Sequence, residues 1–153
     1  DKSCSVCRVN LDLAAAATVT FKYINYAEAS YDFGVFGNID VALTTNYYPA
    51  GSSGATISET SYRKACNTSA DNTSSVQTLT YSVSAGEHFI DVKYSKDDAS
   101  AANNDTLQFK VTVTMDGQDI TSTAFNAGKI NIPAVTGDIV IAAKKAATES
   151  VEG

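Results

Sequence analysis

Cys4-Ser5-Val6-Cys7 has the C-x-x-C spacing of half a zinc site or of a redox pair. A tetrahedral zinc site takes about four ligands, and the remaining soft donors of the chain are Cys66 and its single histidine, His88. A thioredoxin-like dithiol belongs in a βαβ setting, and no such pattern surrounds these residues. Two readings remain for the odd thiol count. One disulfide joining Cys66 to Cys4 or Cys7 is the expected arrangement, and three thiols are the alternative.

His88 follows Gly86-Glu87 at a turn-to-strand boundary. Serine hydrolysis needs a histidine that is itself held by a carboxylate beside the nucleophile, and a lone histidine at such a boundary is expected at a strand end on the surface. Paired carboxylates could serve glycoside hydrolysis, yet no spacing in the chain singles out a pair. The chain is expected not to be an enzyme.

Oxygen donors are more plentiful. Lys96-Asp97-Asp98 and Asn103-Asn104-Asp105 frame an acidic loop, and hard cations such as calcium favour clustered carboxylates and carbonyls. Asp97, Asp98 and Asp105 are therefore candidate calcium ligands. The spacing lacks the glycine and terminal glutamate of an EF-hand, and a solvated hairpin loop is the plainer reading. Tyr26, Tyr31, Tyr47 and Tyr48 fall at strand ends or in loops, with Asp32 beside Tyr31. Aromatic faces flanked by Asn and Asp suit sugar rings, and loops on a rigid scaffold often carry binding sites. These five residues form the candidate ligand site; the competing reading has Tyr26 and Tyr31 covering a sheet edge. Asn67-Thr-Ser, Asn72-Thr-Ser and Asn104-Asp-Thr fit the N-glycosylation pattern, which a chain rich in Ser, Thr and Asn produces by chance.

The elements that must position these residues are strands. Two-residue alternation recurs along the chain: Val9, Leu11 and Leu13; Val19, Phe21, Tyr23 and Asn25; Leu107, Phe109, Val111 and Val113. Gln77, Leu79, Tyr81 and Val83 oppose Val76, Thr78, Thr80 and Ser82, and Phe89 to Tyr94 forms a further strand. Gly34 and Gly37 allow a bend or bulge. Met115-Asp116-Gly117 suits a tight hairpin turn. Residues 46–75 are turn-rich and polar, with a short strand or helical turn expected near Ser58 to Ala65. Roughly ten short strands at near-even spacing, with no convincing amphipathic helix, point to an all-β antiparallel sandwich of jelly-roll-like pattern.

Composition narrows the function classes. The 153 residues are 44% apolar, enough for one sandwich core, but only 18% charged, below the usual quarter. Net charge is −6, and no cationic cluster exceeds Lys144-Lys145. Nucleic acid and anionic lipid both require gathered cations, so neither is an expected partner. No run of about 20 apolar residues could span a bilayer as a helix. The chain begins at Asp1, which suggests a processed or trimmed protein whose export could have been directed by residues no longer present.

Two stretches carry a resemblance. Residues 23–40 (YINYAEASYDFGVFGNID), with 75–86 and 92–111, are similar to a β-sandwich module of phage tail and bacterial surface proteins, chiefly from gut Firmicutes and their phages. Residues 111–142, including VTVTMDGQDITSTAF and INIPAVTGDIVIA, resemble the C-terminal half of small bacterial immunoglobulin-like repeats. The resemblance implies an exposed structural, adhesive or host-recognition module.

The expected organisation is a sandwich over 1–114, an immunoglobulin-like strand extension over 115–145 packed on it or on a neighbour, and a flexible tail over 146–153. The expected function is a non-catalytic extracellular, cell-surface or virion module that recognises a glycan or surface receptor. A purely structural decoration, fibre or assembly subunit, contacting neighbouring subunits, is the alternative. No cofactor is expected beyond the possible calcium.

Overall fold

A computed structural model describes residues 3–26, 28, 31–44, 50–51, 54–55, 61–66, 75–96, 106–121 and 139–142. Two antiparallel sheets pack face to face as a β-sandwich, the arrangement that lets each sheet bury one apolar side. The strands are β1 (Ser3–Leu13), β2 (Ala17–Tyr26), β3 (Phe33–Phe36), β4 (Ala50–Gly51), β5 (Gly54–Ala55), β6 (Lys64–Cys66), β7 (Gln77–Val83), β8 (Gly86–Lys96), β9 (Thr106–Met115), β10 (Gln118–Asp119) and β11 (Ile139–Ala142).

The first sheet runs β1-β8-β3-β6. The second runs β10-β9-β2-β7, with β11 also paired to β9 over Phe109 to Thr106. β4 and β5 pair with each other as a separate two-stranded antiparallel sheet. The pattern of alternation decides which side of each strand is buried. Val9, Leu11 and Leu13 of β1, Val19, Phe21 and Tyr23 of β2, and Leu107, Phe109, Val111 and Val113 of β9 all enter one continuous core. Phe21 stands at its centre, with the rings of Phe36, Tyr81 and Phe109 at 5.4, 5.6 and 5.5 Å.

The β9–β10 hairpin closes on Asp116 and Gly117, both at positive φ (51° and 77°). That is the backbone a two-residue primed turn demands, and a glycine second fits it without a Cβ penalty. At Gly34 the constraint is space instead. A Cβ there would lie 3.1 Å from Asn25 Oδ1 and 3.2 Å from Leu107 Cδ2, so its absence lets β3 approach the second sheet.

β8 departs from simple alternation. Ile90, Val92 and Tyr94 face the core, but Asp91, Lys93 and Ser95 on the other side are buried too. The chain after β3 crosses that outer face. Phe33, Val35 and Leu43 form a second small apolar cluster there, supported by Ala65. Asp91 accepts the Leu43 N–H at 2.9 Å, and Lys93 Nζ donates to Thr44 Oγ1 at 3.1 Å. Arg8 closes the layer with a two-pronged contact to Asp91 (2.7 and 3.0 Å) and stacks 3.9 Å above the Phe89 ring.

The expected disulfide is not formed; all three cysteines are thiols. Cys4 and Cys7 lie on β1 and Cys66 on β6, at opposite edges of the first sheet with β8 and β3 between them. Three interstrand steps of about 4.8 Å put them roughly 14 Å apart, whereas a disulfide needs Cα atoms within about 7 Å. Burial, aided by the charge of Asp91, pushes the Cys7 thiol up to about 11, which leaves it protonated and unreactive at neutral pH.

Candidate functional site

Of the residues expected to bind a ligand, Tyr26, Tyr31 and Asp32 lie among the described ones. Tyr26 ends β2 on its solvent side, half-buried, and Tyr31 is half-buried in the turn before β3. Asp32 is fully buried, with its carboxylate 3.8 Å from Lys96 Nζ, so it cannot serve a surface ligand. Tyr47, Tyr48, Asp97, Asp98 and Asp105 lie outside the described residues. Among the described residues, no group of three or more His, Cys, Asp or Glu side chains is placed to hold a metal ion.

The outer face of the second sheet gathers a different set. Even-numbered residues of β2 and β9 point to solvent, so Lys22, Ile24 and Tyr26 line one strand while Lys110, Gln108 and Thr106 line its neighbour. The register sets Lys22 opposite Lys110, Ile24 opposite Gln108 and Tyr26 opposite Thr106. Thr78 of β7 adjoins Lys22 from the other side. A shallow groove runs over Lys22, Ile24, Gln108 and Lys110 and is walled by Val76, which is 61% exposed. Directly opposed side chains in such a pair sit about 5 Å apart, and like charges there repel. In a chain of net charge −6, this exposed pair concentrates positive charge beside apolar surface. The arrangement can hold a carboxylate or sulfate between two ammonium groups, with Ile24 and Val76 beside them as apolar surface. No sequence signal marked Lys22 and Lys110 as partners, because they are 88 positions apart and each sits in an ordinary alternating strand.

A second constellation surrounds His88. Asp40, at φ 61°, accepts the Phe89 N–H at 2.9 Å and holds His88 Nδ1 at 2.7 Å; His88 Nε2 lies 3.2 Å from Ser84 Oγ and 3.3 Å from the Ala85 carbonyl. The connectivity is that of nucleophile, base and orienting carboxylate. The hydrogen bond to Asp40 holds His88 above its usual value, and the same bond holds Asp40 below its own. As a cation His88 donates from both ring nitrogens, to Asp40 and to the Ala85 carbonyl. The group reads as a latch between the β7–β8 turn and the segment after β3.

The latch has a defined pH window. A raised histidine pKa stabilises the fold fully below 6.5, its reference value, and that contribution is lost as pH rises through the higher folded value. The lowered Asp40 pKa acts above 3.8 and is lost as pH falls through its folded value. Asp40 is 46% exposed, which screens the pair, so His88→Ala is expected to cost less than about 1 kcal/mol near pH 5.5. Chemical denaturation of both proteins at about pH 5.5 and about pH 9 checks this. A difference that grows toward high pH would contradict the latch.

Compared with known proteins, the chain matches no family model, no curated protein and no solved structure.

Proposed function

We propose that the chain is a non-catalytic recognition module of an exterior surface, cellular or viral, and that it binds a glycan bearing acidic groups on the outer face of the second sheet. The observation that carries this reading is the Lys22–Lys110 pair, opposed across β2 and β9 beside exposed Val76 and half-buried Ile24. Tyr26 at the end of the same row offers an aromatic face, and Gln108 and Thr78 offer neutral hydrogen-bonding groups. A polar surface low in charge fits an exterior setting.

The test is binding to an array of neutral and acidic glycans, followed by the Lys22→Ala/Lys110→Ala double variant. Loss of two charge-assisted contacts is expected to weaken acidic-glycan binding by about tenfold or more. Both lysines are exposed, so stability should change by no more than about 0.5 kcal/mol. Unchanged binding in the double variant would overturn the site, and no binding to any glycan would overturn the reading.

A structural-subunit reading has its own observation. β1 is an edge of the first sheet, and its 11 residues pair with β8 alone among the described strands. Such an edge can accept a strand from a neighbour. Sedimentation that shows a monomer at all accessible concentrations would count against self-assembly through that edge.

A further inference from the structure

Lys96 and Asp32 form an ion pair inside the sandwich, at the end where β8 finishes and β3 begins. The side chains are 3% and 0% exposed, and Nζ lies 3.8 Å from Oδ2. Phe33 is opposite Ser95 in the β3–β8 ladder, which sets Asp32 beside Lys96 on the next rung. On their strands, both residues fall in step with the inward-facing positions, Gly34 and Phe36 on one and Val92 and Tyr94 on the other. Two charges held there lose most of their hydration, a loss that their mutual attraction offsets only in part. A third acidic group is close in the chain. Glu28 is tied to Asp32 by a backbone hydrogen bond from Asp32 N to Glu28 O of 2.9 Å, and Glu28 Oε2 is buried with no hydrogen-bond partner among the described residues.

We propose that Lys96 and Asp32 condense to an intramolecular amide, a covalent tie between the end of β8 and the start of β3. A proton passes from the Lys96 ammonium to the Asp32 carboxyl, which the buried setting favours because both groups become neutral. The amine lone pair then attacks Cγ of Asp32. The C–N bond forms, one C–O bond breaks, and the departing oxygen leaves with two of the three ammonium protons as water. The nitrogen keeps one proton, so charge and atoms balance without an oxidant, metal or nucleotide. Glu28 supplies a carboxyl to relay protons between nitrogen and departing oxygen. The product replaces two buried charges with one neutral amide and ties together residues 64 positions apart, a constraint on the unfolded chain like that of a disulfide. The inference does not depend on the glycan reading.

The test is the intact mass of the full chain under reducing conditions, followed by proteolysis and peptide sequencing by mass spectrometry. The expected mass is one water below that of the sequence, with a branched peptide joining the Asp32 and Lys96 segments. Lys96→Arg and Asp32→Ala should each restore the full sequence mass. Asp32→Asn should still form the bond but release ammonia in place of water, and Glu28→Gln should slow the mass change in freshly made protein. An unmodified wild-type mass, with Asp32 and Lys96 recovered in separate linear peptides, overturns the proposal. So does a water loss that maps to Asp116-Gly117. An ammonia loss linking Lys96 to Asn25, which is buried on the same inner side, also overturns it.

Discussion

Phe21→Ala is expected to destabilise the protein by about 3–5 kcal/mol, a large part of the roughly 5–15 kcal/mol that holds a domain folded. Phe21 is 0% exposed and belongs to β2, yet its ring reaches Phe36 of the opposite sheet as well as Tyr81 and Phe109 on its own two neighbours. Truncation therefore removes the transfer energy of the ring and three edge-to-face or tilted aromatic contacts. It also leaves a void walled by other rings that cannot collapse without leaving their own contacts. Phe36 in particular is held by Tyr23 at 4.8 Å and by Phe109 at 6.3 Å. Urea or guanidinium denaturation checks the value, with a lower midpoint and an unchanged slope as the expected signature. Phe21→Leu should cost less because it refills most of the volume. A loss under about 1 kcal/mol for the alanine variant would mean that the two sheets close on the cavity and that the ring cluster is not the centre of the core.

Arg8→Ala is expected to cost about 2–3 kcal/mol, for a reason unrelated to volume. Asp91 is 1% exposed and sits on the outer face of β8, under the segment that follows β3. Arg8 meets it through two N–H groups, and the Leu43 N–H supplies a third contact. Removal of the guanidinium strands a carboxylate in a site that water does not reach, with one backbone donor left to it. The expected cost falls below the range for a fully buried pair because the Arg8 side chain is 45% exposed and part of its field is already screened. Loss of the stack on Phe89 adds to it. Arg8→Lys should recover only part of the loss, since an ammonium cannot match the two-pronged geometry. A loss under about 0.5 kcal/mol would show that the covering segment opens and lets water reach Asp91.

These two residues differ in how far the sequence exposes their roles. Phe21 lies in a stretch where Val19, Phe21, Tyr23 and Asn25 alternate with Thr20, Lys22 and Ile24, and the fold buries the first set. Period-two patterning survives translation into structure because a strand with one buried side leaves no other way to hide its apolar residues. Asp91 and Lys93 occupy positions that the same rule assigns to solvent, between Ile90, Val92 and Tyr94. Their burial comes from a second layer, Leu43 and Thr44, about 50 positions away.

Strand identity, the inward side of β1, β2 and β9, and the Asp116-Gly117 turn were thus determined by the sequence alone, since local sterics and hydrophobic alternation act over a few residues. Pairing partners were not. The wide separation of Cys66 from Cys4 and Cys7, the meeting of Asp40 with His88, the Lys22–Lys110 pair and the burial of Asp32 beside Lys96 all depend on which strands lie next to each other. Strand order is settled by the packing of the whole core, and residues far apart in the chain meet only after it forms. Side-chain type showed which groups could do chemistry, and tertiary structure decided which of them share a site.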